Sequence, residues 1–127
     1  LAIAPDNDIY LFTKGTILLN MGDFKQCIEV SKKALAVNDS LSGAYYNIGL
    51  AYFNQAVEMD KNSQQSRKTH QEIDGLYKSA MPYLQKYRTM APDMPEQWAL
   101  PLYTIYLNLN MGKEFDEIDK LLNQKKK

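Results

Sequence analysis

The chain has 127 residues, is 45% hydrophobic, and carries 15 lysine and arginine residues against 15 aspartate and glutamate residues. The zero net charge argues against a generic polyanion binder, whose affinity comes from surplus basic residues, and the apolar content argues against a disordered protein. A single cysteine, Cys27, and a single histidine, His70, exclude an intrachain disulfide and cysteine-rich or histidine-rich metal sites, and no apolar run approaches the roughly 20 residues of a membrane helix.

The sequence repeats itself at a spacing of 34 residues. Residues of matching character recur at that distance: Leu1 and Leu35, Ile3 and Val37, Leu11 and Tyr45, Gly15 and Gly49, and Leu18 and Tyr52. A second set recurs at 53 residues, which is 19 more: Phe24 and Tyr77, Cys27 and Ala80, Tyr45 and Trp98, and Tyr52 and Ile105. A fixed period of this kind is typical of repeat proteins. We therefore expect three copies, the third displaced by one insertion of 19 residues.

The first copy, residues 8–41, predicts two helices joined by a turn at Met21-Gly22-Asp23. The second of these helices has a buried stripe at the spacing i, i+3, i+4, i+7, formed by Phe24, Cys27, Ile28, Ser31, Ala34 and Leu35. Residues 1–7 resemble the tail of a preceding copy. Because the chain begins with Leu1 rather than methionine, we expect it to be a fragment or a processed product.

The second copy, residues 42–94, contains the insertion between Tyr52 and Tyr77. Helical spacing continues into it from both sides, so we expect a helical hairpin lengthened by about two to three turns per helix, with its tip at 60–63. The region 61–90 is basic, because it holds six basic residues against Glu72 and Asp74: Lys61, Arg67, Lys68, Lys78, Lys86 and Arg88.

The third copy, residues 95–127, carries Trp98, Leu102 and Ile105 on its first helix and Phe115, Ile118, Leu121 and Leu122 on its second. Extra residues before the turn at Met111-Gly112 predict a first helix about one turn longer than in the other copies. No alternating apolar–polar run of useful length occurs anywhere in the chain. The predicted fold is all-α.

These units resemble the tetratricopeptide repeat, whose signature is W-x2-L-G-x2-Y followed by A-x3-F and P. The matching stretches are Leu11-x2-Lys14-Gly15-x2-Leu18, Tyr45-x2-Ile48-Gly49-x2-Tyr52 and Trp98-x2-Pro101-Leu102-x2-Ile105, with Cys27 and Ala80 as the small residue and Pro92 as the closing proline. The resemblance covers essentially the whole chain and implies an α-solenoid of about three helix–turn–helix units. It also explains the glycines, because the two helices of a unit approach most closely there.

The resemblance implies a concave groove, lined by the first helices, that binds a peptide or a partner helix. The groove residues expected by alignment are Ile9, Phe12, Thr16, Leu19 and Asn20, then Tyr46, Asn47, Leu50, Phe53 and Asn54, and finally Tyr103, Tyr106 and Leu107. Such a groove is aromatic and amide-rich, and it suits peptide backbone and apolar side chains. Chaperone-binding members of the family hold a carboxylate with a clamp, of which only Asn47 is present here, so we do not expect that activity.

No sequence motif indicates catalysis, a cofactor or a metal site. We expect His70, which lies beside Glu72 and Asp74 in the sequence, to be a solvated residue of the hairpin rather than a catalytic base. Cys27 reads as a buried packing residue rather than a reactive thiol, and the acidic residues Asp116, Glu117 and Asp119 suit the start of a helix better than metal binding. We expect no enzyme activity, no cofactor and no small-molecule substrate.

We therefore expect a non-enzymatic scaffold that binds a protein or peptide partner. Two alternatives stay open. One is a basic hairpin that contacts nucleic acid or an anionic surface, although we do not expect a nucleic-acid partner, because four surplus charges spread over 30 residues are typical of a solvated face. The other is a helical accessory part of a larger enzyme or transport assembly. Self-association also stays open. The basic hairpin and the mildly acidic repeats on either side of it have opposite charge, which can orient a neighbouring copy of the chain. The chain is similar to uncharacterised bacterial repeat proteins that are often exported, which implies the periplasm rather than the cytoplasm.

Overall fold

The computed structural model describes residues 7–62 and 67–125 and places six α-helices in them. The helices are α1 (Asp8–Met21), α2 (Phe24–Val37), α3 (Ser42–Asn62), α4 (Arg67–Met90), α5 (Pro95–Asn108) and α6 (Gly112–Lys125). These residues contain no strand, so the all-α prediction is confirmed. The preceding-copy tail predicted at residues 1–7 lies outside the described part of the chain, except for Asn7, and so does Ser63 at the predicted tip.

Local side chains determine where the first two helices begin and end. The Asn7 side chain accepts a hydrogen bond from the Tyr10 backbone N–H at 3.0 Å, and Asp23 accepts one from the Gln26 N–H at 3.4 Å. Both are N-caps, which satisfy backbone donors that have no partner inside the helix. Gly22 ends α1 with a φ of 83°, in the left-handed region that favours glycine.

Substituting Gly22 with alanine is expected to lower the free energy of unfolding by about 1–2 kcal/mol, because a Cβ disfavours the left-handed conformation. No atom lies within 4 Å of the added Cβ, so the effect comes from the backbone alone. Urea titration measures it. Gly22→Asn, which tolerates this conformation better, should lose less, and equal losses for the two variants would contradict the backbone explanation.

The helices form three antiparallel hairpins that stack in chain order. Each hairpin pairs a first helix with a second helix: α1 with α2, α3 with α4, and α5 with α6. Successive hairpins join because α2 contacts α3 and α4 contacts α5, and the first helices also contact one another, α1 with α3 and α3 with α5. Within the described residues, the Cα atoms of the second helices α2, α4 and α6 do not approach within 8 Å of each other, and α2 and α4 meet only through side chains such as Tyr83, which packs against the Cys27 and Ile28 cluster. The architecture is a helical-repeat solenoid.

Two glycines permit the close approach of paired helices. A Cβ at Gly15 would lie 2.5 Å from Ser31 Oγ on α2, and a Cβ at Gly49 would lie 2.7 Å from Leu84 Cγ on α4. These distances are shorter than any normal contact, so the predicted role of the glycines at the crossing of each hairpin is confirmed for the first two hairpins.

The lengthened second hairpin is also confirmed, since α3 has 21 residues and α4 has 24, whereas α1 and α2 have 14 each. The prediction of a longer first helix in the third copy is wrong, because α5 has 14 residues like α1. The extra residues instead form the first turn of α6, which begins at Gly112, before Phe115. Ile118 still reaches the interior, fully buried like Cys27 in the first hairpin.

Candidate functional site

The predicted groove residues lie along α1, α3 and α5, and we call the surface that they form the first-helix surface. Apart from Ile9 and Leu107, eleven residues are predicted for this surface, and nine of these eleven keep part of their side chain accessible. Asn20 is exposed and the others are half-buried: Phe12, Thr16, Leu19, Tyr46, Leu50, Phe53, Asn54 and Tyr103. Ile9 and Leu107, at the two ends of the surface, are exposed as well. The structure therefore brings most of the predicted set to one series of neighbouring helices.

Asn47 is a correction to that set, because its side chain is only 4% exposed. Its amide donates a hydrogen bond to Thr16 Oγ1 at 2.9 Å, and Thr16 Oγ1 donates to the Phe12 carbonyl oxygen at 3.1 Å. This chain of hydrogen bonds links α3 to α1. Asn47 therefore holds two first helices together rather than presenting its amide to a ligand.

Tyr106 is the second correction, with 3% exposure. Its hydroxyl oxygen accepts a hydrogen bond from Gln85 Nε2 at 3.0 Å, which satisfies the buried polar group. Gln85 lies on α4, so this contact ties α5 to the preceding hairpin. The side chain belongs to the interior between hairpins.

The accessible aromatic residues of the first-helix surface are anchored to second helices. The ring centroids of Tyr46 and Tyr87 lie 4.8 Å apart, those of Phe53 and Tyr77 5.9 Å, and those of Tyr103 and Phe115 4.6 Å. Such tilted pairs stabilise a fold beyond the area that they bury. One side of each ring therefore packs in the protein, and the remaining edge is what the surface can offer to a partner.

Gly43 also shapes this surface, although it is not among the residues predicted for the groove. A Cβ at Gly43 would lie 2.5 Å from Phe12 Cε1, so the Phe12 ring rests directly on the α3 backbone. A signal was available in the repeat alignment, because the equivalent positions of the other copies hold the larger residues Ile9 and Glu96. Gln85 left no such signal, since it lies on a second helix.

Tyrosine ionisation on this surface is disfavoured. Burial raises the pKa of Tyr46 above its ordinary value, and the neighbouring Tyr87 raises it further.

Lys32, on the second helix α2, also has a raised pKa, first because its ammonium donates a hydrogen bond to the Tyr52 hydroxyl. In both cases the folded state holds its proton more tightly than the unfolded state does, so the associated stability is present below the unfolded pKa and is lost as pH rises through the folded value.

We expect the free energy of unfolding to fall as pH rises above about 10, the ordinary pKa of tyrosine. Tyr46→Phe removes one of the groups that cause the fall, so this variant should lose less stability over that range than the wild type does. Denaturant unfolding between about pH 9 and 11 measures the slope. An identical slope for the two proteins would show that Tyr46 titrates normally.

His70 and Cys27, the two residues that could suggest catalysis, lie on the second helices α4 and α2 rather than on the first-helix surface. His70 Nε2 lies 3.8 Å from Asp74 Oδ2, one helical turn away on the exposed part of the hairpin. Cys27 is fully buried, and burial is the main cause that raises the pKa of its thiol. Among the described residues, no cluster of three or more histidine, cysteine or acidic side chains could hold a metal ion. In the same part of the chain, no helix has both the length and the apolar character needed to cross a bilayer.

The helical hairpin of α1 and α2 matches a family model. The match covers residues 10–40 and its description is tetratricopeptide repeat. The chain contains a tetratricopeptide repeat. No significant match was found among curated proteins or among solved structures. The tetratricopeptide repeat is a protein–protein interaction module of generally non-enzymatic scaffolds, and the three stacked hairpins are consistent with a solenoid of this type.

Proposed function

We propose that the protein is a non-enzymatic scaffold that binds a peptide segment or a helix of a partner protein across the first-helix surface. The observation that carries the proposal is the pattern of contacts between helices. The backbones of the first helices α1, α3 and α5 approach one another in series, whereas within the described residues no Cα atoms of α2, α4 and α6 come within 8 Å of each other. Elements on the inner side of a curved stack lie closer together, so this pattern supports a concave side lined by the first helices.

The repeat division that accompanies this proposal follows the hairpins. Residues 8–41 and 42–94 form the first two repeats and 95–127 the third, the second repeat having the lengthened hairpin. Each repeat then contributes one first helix to the binding surface. A longer partner segment can contact all three in turn.

The chemistry of the first-helix surface favours an uncharged partner segment. Leu19 and Leu50 supply apolar contact area, and the amides of Asn20 and Asn54 can both donate to and accept from a peptide backbone. None of the accessible residues predicted for this surface is charged. Binding should therefore change little with ionic strength, whereas contact of the basic hairpin with an anionic surface would weaken steeply with salt.

The test uses an exposed residue, because Tyr46 and Phe53 also support the fold. Leu107→Lys places a charge on the first-helix surface, where the Leu107 side chain is 54% exposed. Val37→Lys is the matched control, since Val37 is equally exposed at 54% but lies on the second helix α2. Affinity capture from the source cell, followed by quantitative mass spectrometry, compares the partners retained by each variant.

We expect Leu107→Lys to lose most of the captured partner and Val37→Lys to retain it, because burying an unpaired charge in an interface is costly. Helical circular dichroism should be the same for both variants. Equal capture by the two variants would contradict the proposal. If raised salt releases the partner from the wild-type protein, the partner binds the basic hairpin instead.

A further inference from the structure

Among the described residues, one face of α3 is covered by α2 along its first half and extends beyond α2 along its second half. Ile48 and Ala51 lie on this face, pack in a cluster with residues of α2, and are fully buried. Gln55 and Met59 continue the same face at helical spacing but are only half-buried. The face therefore extends past the helix that covers it.

Unequal helix lengths create the uncovered part. The first residue of α2, Phe24, packs against the same cluster as Tyr52 of α3. Beyond Tyr52, α3 continues for ten residues to Asn62, a distance of about 15 Å. The insertion lengthened α3 and α4 without lengthening α2, so no described element lies in line with α2 along this stretch.

The uncovered stretch forms a groove of about 790 Å³, which we call the notch. Its apolar lining is formed by Phe24, Ile28, Tyr52, Met59 and Leu76. The volume lies within the range of about 300–1,000 Å³ that is usual for ligand sites. The notch lies on a different face of α3 from Leu50 and Phe53, so it is separate from the first-helix surface.

Charged side chains of opposite sign border the notch. Lys25 stands at the α2 end and Glu58 stands on the extension of α3. Both are exposed, and neither forms an ion pair with a described residue. An occupant of the notch can therefore meet a cation near α2 and an anion further out along α3.

We infer that the notch binds a short amphipathic helix of another protein, lying along α3 in line with α2. The helix–helix packing already present between α2 and α3 continues into the notch, and the length available accommodates about two to three helical turns. Apolar residues of the bound helix at spacing i, i+3 or i+4, and i+7 meet Met59 and Leu76. A carboxylate of the helix pairs with Lys25, and a basic residue pairs with Glu58.

The inference can be tested with a library of stapled helical peptides of about 14 residues, long enough for three to four turns. Selection is made on the wild-type protein alone, and the Leu76→Lys variant, which places a charge in the notch, is kept for the binding comparison. We expect amphipathic peptides with the apolar spacing above to be enriched. Fluorescence anisotropy should show binding at least about tenfold weaker to Leu76→Lys than to the wild type, a difference of about 1.4 kcal/mol.

Two further variants keep the test decisive if Leu76→Lys folds poorly. Glu58→Lys changes an exposed side chain and should weaken binding of the selected peptides that carry a basic residue. A peptide with glutamate at that position should bind this variant better. Leu107→Lys, on the first-helix surface, should bind the selected peptides as the wild type does. This last variant also separates a failure here from a failure of the proposed groove.

Three results would overturn the inference. One is that no peptide is enriched, or that enriched peptides bind Leu76→Lys and Glu58→Lys within about twofold of the wild type. A second is that Leu107→Lys abolishes their binding, which would place them on the first-helix surface. The third is dimerisation in sedimentation equilibrium that Leu76→Lys and Glu58→Lys both remove, which would assign the notch to a second copy of this chain.

Discussion

Trp98→Ala is expected to lower the free energy of unfolding by about 4 kcal/mol, the largest effect of any single substitution considered for this protein. Trp98 begins the packing of α5 on α4 and is 3% exposed. Its Nε1 donates a hydrogen bond to the Ala91 carbonyl oxygen at 2.9 Å, across the turn between the two helices. Truncation leaves a large cavity and removes the donor from a buried acceptor at the same time.

Two control variants separate the contributions of Trp98. Trp98→Phe keeps much of the ring volume but loses the hydrogen bond, so a loss of about 1–3 kcal/mol is expected. Arg88→Ala removes the guanidinium that lies 4.7 Å from the Trp98 ring centroid and should cost about 1 kcal/mol or less at this partly exposed site. Guanidinium chloride unfolding gives all three values, and a loss of less than about 2 kcal/mol for Trp98→Ala would contradict the packing described here.

Gly49→Ala is expected to destabilise the protein by about 2 kcal/mol, whereas Gly75→Ala is expected to stabilise it by about 0.5–1 kcal/mol. Both glycines lie in helices of the same hairpin, so both substitutions gain the helix propensity of alanine. They differ in their surroundings. A Cβ at Gly49 would lie 2.7 Å from Leu84 Cγ and 3.4 Å from the Leu84 backbone nitrogen, but a Cβ at Gly75 would meet nothing within 4 Å.

Thermal and urea unfolding of the two glycine variants measures this contrast directly. Opposite signs are expected, because overpacking outweighs propensity at Gly49 and is absent at Gly75. If Gly49→Ala were neutral or stabilising, α3 and α4 would be further apart than the structure has them. Gly75→Ala controls for the general effect of adding alanine to this hairpin.

Local spacing was enough to predict the helices and their pairing. Gly15 and Gly49 recur because each hairpin has one point of closest approach, and that requirement can be read from a repeat alone. The longer second hairpin was also readable, since Ile73 and Tyr77 keep the helical period on the far side of the insertion. The length of α5 was not, because extra residues near a turn can join either flanking helix.

The burial of individual groove residues depends on partners that a repeat alignment does not compare. Asn47 is buried because Thr16 accepts its amide hydrogen bond, and Tyr106 is buried because Gln85 satisfies its hydroxyl. Each partner lies on a different helix, 31 and 21 residues away in the chain. Position on a helix gave the direction of these side chains, but only the packing between helices determined whether they reach the surface.

The notch shows a further limit of sequence reasoning. The insertion is evident from the change in spacing from 34 to 53 residues, yet the spacing does not say which face of α3 stays uncovered. That depends on where α2 begins relative to Tyr52, which is a relation between neighbouring helices. A comparison of the predicted helix lengths across the three copies would have indicated that α3 extends beyond α2.

Hydrogen–deuterium exchange of the protein with and without its captured partner tests most directly whether the first helices form the binding surface. Backbone amides that a partner covers or stabilises exchange more slowly. We expect the added protection to fall in α1, α3 and α5, with little change in α2, α4 and α6. Protection confined to the second helices, or to the outer part of the lengthened hairpin alone, would contradict binding across the first-helix surface.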